Sequence, residues 1–358
     1  MVNKLLITGA AGFIGSNFVR YWIDKYPEDK IIGLDALTYA GNKSNLKDHI
    51  GQSNFKLIEG SICDQHLVDK LFAEFSIDRL VHFAAESHVD RSIDNPDAFI
   101  TTNVVGTHHL LESAKKHWLD QGVDDYLFHH VSTDEVYGSL RPTDPAFKET
   151  SLYAPNSPYA ASKAASDHLV RAYHKTYGLK VTTSNCSNNY GPFQFPEKLI
   201  PLCLLNVFNG KPLPIYGEGT QVRDWLYVDD HCYGIELILK GGTVGETYNI
   251  GGRNEWKNIE VVEFLCETVQ EKFNSFPELR AKFPQSPCAR NQDPKQLITH
   301  IEDRLGHDVR YAIDASKATR ELNYKPTVMF EDGLRRTIDW YLENEDWWQA
   351  ILNGSYMI

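Results

Sequence analysis

Lys4-Leu5-Leu6-Ile7-Thr8-Gly9-Ala10-Ala11-Gly12-Phe13-Ile14-Gly15-Ser16 is the stretch on which the fold turns. An apolar strand runs into three glycines, and the glycines open a helix-like segment, Phe13–Lys25. Gly9 permits the tight turn, Gly12 lets the backbone approach a pyrophosphate seated on the helix N-terminus, and Gly15 lets that helix pack closely on the strand. The spacing is Gly-x-x-Gly-x-x-Gly rather than Gly-x-Gly-x-x-Gly.

Outward from this motif the pattern repeats. Ile31–Asp35, Phe55–Glu59, Arg79–Ala84, Tyr126–Ser132 and Lys180–Cys186 read as buried strands. Gln65–Phe75, Phe99–His117 and Tyr159–Tyr177 read as helices between them. Such alternation predicts an α/β fold with a doubly wound parallel sheet of Rossmann type, followed by a smaller, mixed α/β C-terminal substrate-binding domain. The division expected is residues 1–187 and 224–252 for the dinucleotide and residues 188–223 and 253–358 for the substrate. Glu246–Ile250 is a further strand and 330–344 a closing amphipathic helix. Residues 274–294, polar and carrying Pro277, Pro284, Pro287 and Pro294, read as a loop-rich insertion.

The chain has 358 residues and a net charge of -12, with no apolar run long enough to span a bilayer and no cleavable leader pattern. The acidic balance argues against nucleic acid as a partner. The six cysteines are scattered, without zinc-finger spacing, and read as buried thiols of a reducing cytoplasm. No metal is expected.

Asp35 ends the second strand, twenty residues beyond Gly15. A carboxylate there accepts both ribose hydroxyls of an adenosine half and repels a 2′-phosphate, so the cofactor expected is NAD. Ser61-Ile62 lie beside the adenine, and Phe83, Ala84 and Ala85 let the cofactor cross the sheet edge. Tyr159-Ala160-Ala161-Ser162-Lys163 sets a phenol and an ammonium one helical turn apart. Lys163 and an oxidised nicotinamide would stabilise the phenolate, so that Tyr159 removes a hydroxyl proton while hydride leaves the same carbon.

Together these features resemble the extended short-chain dehydrogenase/reductase family over nearly the whole chain. Within it, Ser132-Thr133-Asp134-Glu135-Val136-Tyr137-Gly138 resembles the nucleotide-sugar 4,6-dehydratases; epimerases usually carry small or uncharged residues in place of Asp134 and Glu135. Residues 84–92, 223–229 and 303–308 resemble the same subfamily. The resemblance implies a dTDP-glucose substrate, oxidation at carbon 4, removal of the carbon-5 proton by Glu135, protonation of the departing 6-hydroxyl by Asp134, and hydride return to carbon 6. Thr133 joins Asp134, Glu135, Tyr159 and Lys163 as catalytic. Phe13, Ile14, Ala36, Leu37, Thr38, Ser87, Thr102 and Asn188 are implied cofactor contacts. Ser87, Thr133, Asn188, Lys198, Leu199, Arg223, Asn258, Arg304 and His307 are implied substrate contacts, with Arg223 and Arg304 suited to a diphosphate. Neighbouring strand residues point to opposite faces, so both acids can serve one substrate only if the backbone turns at Asp134.

Two positions depart from the subfamily: Ser61 stands where Asp is usual, and Leu305 where Pro is usual. UDP, CDP or GDP sugars and a UDP-hexose 4-epimerase activity remain open alternatives; a non-catalytic NAD-binding protein would not need the acid pair. The resemblance also implies a homodimer through 99–117 and 159–177.

Overall fold

The computed structural model describes residues 2–357. In chain order its strands are β1 (Lys4–Thr8), β2 (Lys30–Asp35), β3 (Phe55–Glu59), β4 (Arg79–His82), β5 (Leu127–Thr133), β6 (Val181–Cys186), β7 (Asn188–Tyr190), β8 (Leu213–Tyr216), β9 (Val222–Tyr227), β10 (Thr247–Ile250), β11 (Glu255–Lys257) and β12 (Ile298–Ile301). Side chains on β1 alternate as a doubly covered strand requires: Leu6 joins one apolar cluster, Leu5 and Ile7 another.

The main sheet has the order β10-β6-β5-β4-β1-β2-β3. Every pairing in it is parallel. From β1 the chain winds outward to β2 and β3, then returns to β4 on the other side. The carboxyl ends of β1 and β4 therefore border a crevice, the topological switch point at which doubly wound sheets bind ligands.

Helices Phe13–Lys25 and Val228–Gly241 cover one face, packing Phe18, Val19 and Trp22 with Val228, Cys232 and Ile235. Gln65–Phe75, residues 96–119 and Pro158–Tyr177 cover the other, through Val68, Leu71, Leu111, Trp118, Val170 and Tyr173. The 99–117 helix is longer than the apolar pattern suggests and contains two π-helical turns, Ile100–Gly106 and Lys115–Leu119. Among the described residues no helix is long and apolar enough to cross a membrane.

A second apolar core gathers Leu204, Phe208, Trp225, Val262, Phe273, Leu334, Tyr341 and Trp348 around the three-stranded sheet β11-β9-β7 and the pair β12-β8. Residues 274–294 belong to this core and are not the loop expected. Helix Asn258–Ser275 runs into them, Glu278–Lys282 follows, and 3-10 turns form at Pro287–Arg290 and Pro294–Leu297. Pro277, Pro287 and Pro294 sit at helix starts, where a missing N–H costs nothing, and Pro284 lies in the turn between. Leu279, Phe283 and Cys288 are buried, and Phe283 stacks on Phe208 at 4.6 Å.

The C-terminal segment reaches back to the first lobe. Trp347 Nε1 donates to Asn45 Oδ1 at 2.7 Å, and Tyr356 Oη donates to the Tyr39 carbonyl at 2.5 Å. Five cysteines are buried; Cys63 is only partly so, and all six are free thiols.

Candidate active site

Gly9 adopts φ +69°, and a Cβ on it would lie 2.7 Å from the Ala84 nitrogen. A Cβ on Gly15 would lie 2.1 Å from the Gly9 carbonyl oxygen. The glycine loop thus folds against the β4 exit, leaving the start of helix Phe13–Lys25 open to an anion. Asp35 stands beside it, with Oδ2 accepting the Ala11 N–H and Oδ1 the Leu37 N–H, both at 2.8 Å. Burial raises its carboxyl above the usual value, while the N–H groups of Leu37, Ala11 and Gly12 favour the anion. Leu37 itself does not line the cleft. It turns through φ +50°, its side chain packs partly against the core, and its N–H holds Asp35.

A cleft of about 560 Å³ crosses the carboxyl ends of β1, β2, β4, β5 and β6 and enters the second lobe. Gly9, Gly12, Phe13, Ile14, Gly15, Asp35, Ala36, Thr38, Ser61, Ile62, Phe83, Ala84, Ala85, Ser87 and Thr102 line one end. Thr133, Asp134, Glu135, Tyr159 and Lys163 lie along it, with Asn188, Lys198, Leu199, Arg223, Asn258, Arg304 and His307 toward the second lobe.

Ser157 caps helix Pro158–Tyr177, its Oγ accepting the Ala160 N–H at 3.1 Å. The cap fixes the turn that carries Tyr159 and Lys163. Lys163 Nζ donates to the Val131 carbonyl at 2.9 Å, which pins it under the end of β5. Burial lowers its pKa, opposed by the charge of Asp167. The expectation sets both Lys163 and an oxidised nicotinamide beside the Tyr159 phenolate. Burial, and then the charge of Glu135, hold its phenol well above the ordinary value, while a Thr133 hydrogen bond works the other way. The acidity needed near neutral pH therefore has to be completed by a cation in the cleft, as an oxidised nicotinamide would be.

At Asp134 the backbone leaves β5 for a 3-10 turn, Asp134–Tyr137, with Thr133 Oγ1 accepting the Glu135 N–H at 3.3 Å. That turn brings both acids to one cleft. Asp134 is 1% exposed and its Oδ2 has no partner. Burial, then the charges of Glu135 and Asp224, raise its carboxyl well above the ordinary range. Burial also raises Glu135, but Lys198, Arg223 and Arg304 pull it back toward the anion. Both carboxyls are raised, but three cations oppose the shift at Glu135 and one, Arg223, opposes it at Asp134.

Several partners were not legible in the sequence. Asp90 binds Arg304 twice, at 2.6 Å to Nε and 2.9 Å to Nη2, so a diphosphate must share that guanidinium. His307 Nδ1 lies 2.6 Å from Asp303 Oδ1. Arg223 donates to the Val222 and Asp308 carbonyls and lies over the Tyr311 ring, 4.3 Å from its centroid. Lys198 Nζ donates to the Ser87 carbonyl at 3.0 Å rather than standing free. Glu197, His88 and Tyr311 also line the cleft. His88 lies in the 84–92 motif and Glu197 beside Lys198; Tyr311 had no signal. Asn188 Oδ1 and Asn258 Oδ1 are buried without partners, as acceptors awaiting a ligand would be.

The profile of the GDP-mannose 4,6 dehydratase family matches residues 6–337. A dTDP-glucose 4,6-dehydratase of Neisseria meningitidis serogroup B is 51% identical, the match covering 100% of this chain and 98% of that one. Its counterpart in Salmonella typhimurium is 50% identical over 99% and 96%. Among solved structures, a Streptomyces venezuelae dTDP-glucose 4,6-dehydratase with NAD bound superposes with a TM-score of 0.86 at 46% identity, covering 97% of this chain and 99% of that one. A Thermotoga maritima UDP-glucose 4-epimerase gives a TM-score of 0.80 at 27% identity, over 96% and 99%. With that profile spanning the sheet, the cleft and most of the second lobe, the chain belongs to the GDP-mannose 4,6 dehydratase family.

Proposed function

We infer that this chain converts dTDP-glucose to dTDP-4-keto-6-deoxyglucose and water, with NAD as a recycled redox partner. The observation that carries this reading is the buried Asp134-Glu135 pair, which a 3-10 turn brings into the same cleft as Tyr159 and Lys163, with Asp134 Oδ2 unpartnered. A 4-epimerase has no water to expel and no use for that pair. The relatives at about half identity over their whole length carry the same activity in their names.

The residues fit NAD. The glycine loop leaves no room for a side chain at Gly9 or Gly15, Asp35 offers a ribose acceptor, and the cleft is of cofactor size. Bound NAD supplies a hydride acceptor at carbon 4 and a hydride donor at carbon 6. Tyr159, with Lys163 beneath it, takes the 4-hydroxyl proton. The resulting ketone acidifies carbon 5, and Glu135 removes that proton. Asp134 protonates the 6-hydroxyl so that it leaves as water. Arg223, Arg304 and Lys198 are proposed to hold the diphosphate, with Asn188, Asn258 and His307 on the nucleotide and sugar. Residues 1–187 and 224–252 would hold the cofactor, and 188–223 and 253–358 the nucleotide sugar.

We also propose a cytoplasmic homodimer. Ile100, Val105 and Tyr177 are exposed apolar side chains on the helices assigned to the interface. Light scattering on a sizing column should return twice the mass of the 40.8 kDa chain. For the activity itself, incubation with dTDP-glucose followed by alkali should give the near-ultraviolet absorbance of a 4-keto sugar. A product that is an epimer, without that absorbance, overturns the reading.

A further inference from the structure

Four lysines and arginines line the cleft among the described residues: Lys163, Lys198, Arg223 and Arg304. The first three give their hydrogen bonds to backbone carbonyls. Arg304 alone is matched by a carboxylate. Asp90 Oδ1 lies 2.6 Å from its Nε, and Asp90 Oδ2 accepts from its Nη2 at 2.9 Å. The two residues come from opposite walls. Asp90 belongs to helix Val89–Asp94, after β4 in the first lobe, and Arg304 to the loop that follows β12 in the second. The pair therefore spans the cleft.

Asp90 takes the Nε–Nη2 edge of the guanidinium, which is also an edge with which arginine grips a phosphate. Nη2 belongs to both edges from which a phosphate can be held at two points. A diphosphate on Arg304 beside an unmoved Asp90 would crowd phosphate and carboxylate oxygens round one nitrogen, where like charges repel. The pair is placed to part. The Arg304 and Asp90 side chains are 22% and 34% exposed, so water can replace a lost partner, which a dry interior would not allow. Each also has a second partner. Tyr216, at the end of β8, donates its Oη to Asp90 Oδ2 at 3.2 Å. Its ring lies against Arg304, with the guanidinium carbon 4.9 Å from the centroid.

We propose that Asp90 is a displaceable counter-ion, which holds Arg304 in the empty cleft and yields it to the diphosphate of an entering nucleotide. This rests on the nucleotide-sugar reading above, which sets the diphosphate at Arg304. Sharing of the guanidinium is then an exchange of one anion for another, with Tyr216 steadying both groups as they separate. Two consequences follow. A ligand gains Arg304 only if its anion outcompetes a two-point carboxylate, so Asp90 helps to select a diphosphate. The product carries the same diphosphate as the substrate, and Asp90 recaptures Arg304 as it leaves. Release is faster and affinity lower than the bare cation would give.

The test titrates dTDP into the NAD-loaded full chain by calorimetry, comparing wild type with Asp90→Asn and Asp90→Ser. Asparagine removes the charge. Serine also removes the reach to Arg304, and it serves if the amide oxygen still engages the guanidinium; retained NAD in each variant reports an intact fold. Loss of the competitor should tighten dTDP about fivefold. Most of that gain should appear as slower release in stopped-flow displacement. A carboxylate that merely props the loop for the ligand predicts the opposite sign, so weaker or unchanged binding in both variants overturns the exchange. The second arm is a crystal structure of the wild-type chain with dTDP. Arg304 should lie on phosphate oxygens, with Asp90 beyond ion-pair distance. An intact two-point pair in that complex would reduce any gain in the variants to simple charge relief, and the proposal is then wrong. Failure of the wild type to bind dTDP at all refutes the nucleotide-sugar reading instead.

Discussion

Asp134 and Glu135 are chain neighbours, both buried, with different charges around them. Burial raises both; at Asp134 two carboxylates add to it against Arg223, while at Glu135 Lys198, Arg223 and Arg304 oppose it. Glu135→Gln should therefore keep its NAD and lose product formation by on the order of 10²-fold or more, as expected for a positioned base. Solvent-hydrogen exchange at carbon 5 should disappear with it, and unchanged turnover would remove Glu135 from the chemistry. Asp35 offers a second prediction. Its carboxylate both faces the ribose and anchors the Ala11 and Leu37 amides. Asp35→Ala should loosen NAD and erase preference over NADP, measured by equilibrium binding of both; an intact preference would sink the ribose role. These residues were legible because each is a rare side chain at a fixed distance from the glycine loop or the strand end. The pairing of Asp90 with Arg304 was not: both lie in motif segments, but the contact joins residues 214 positions apart.

At the scale of elements, the helices and strands of the first lobe follow from periodicity. The exception is instructive. Pro277, Pro287 and Pro294 suggest loop, but a proline at a helix start reads the same as a proline in a turn until the buried partners are known. Phe283 lies between Phe208 and Trp348 in a packed aromatic group. Phe283→Ala should cost about 3–5 kcal/mol of stability, read as a lower urea midpoint at unchanged slope. A change within the range of an ordinary surface substitution would show that this segment is not part of the second core. The same lobe explains why β7, β8, β11 and β12 escaped the sequence. They are three or four residues long, and their pairings are long-range.

On the scale of the whole molecule, the doubly wound sheet was readable from one motif because a parallel sheet imposes continuous apolar strands and intervening helices. Its interior also carries histidines that no motif explains. His129 bonds Thr182 and Ser184, His231 bonds Asn189, and burial depresses both imidazoles to about 3. In the unfolded chain a histidine titrates near 6.5. The folded pKa is the lower one, so the contribution is complete above about 6.5 and is lost as pH falls toward the folded value. Stability should fall below about pH 6.5 with a slope approaching 1.4 kcal/mol per pH unit for each such histidine. Denaturant titrations between about pH 7 and pH 5 would read this, and His231→Gln should flatten the slope. An equal slope in the variant removes His231 from the effect.

The fastening of Trp347 to Asn45 and of Tyr356 to Tyr39 joins positions 302 and 317 residues apart, on either side of the loop that follows β2. In a refolding experiment this makes cofactor capture a late event. The parallel sheet can assemble and pass through early intermediates while dinucleotide still exchanges freely. Fastening of the tail to that loop should slow cofactor release, so recovery of secondary structure should precede recovery of cofactor retention.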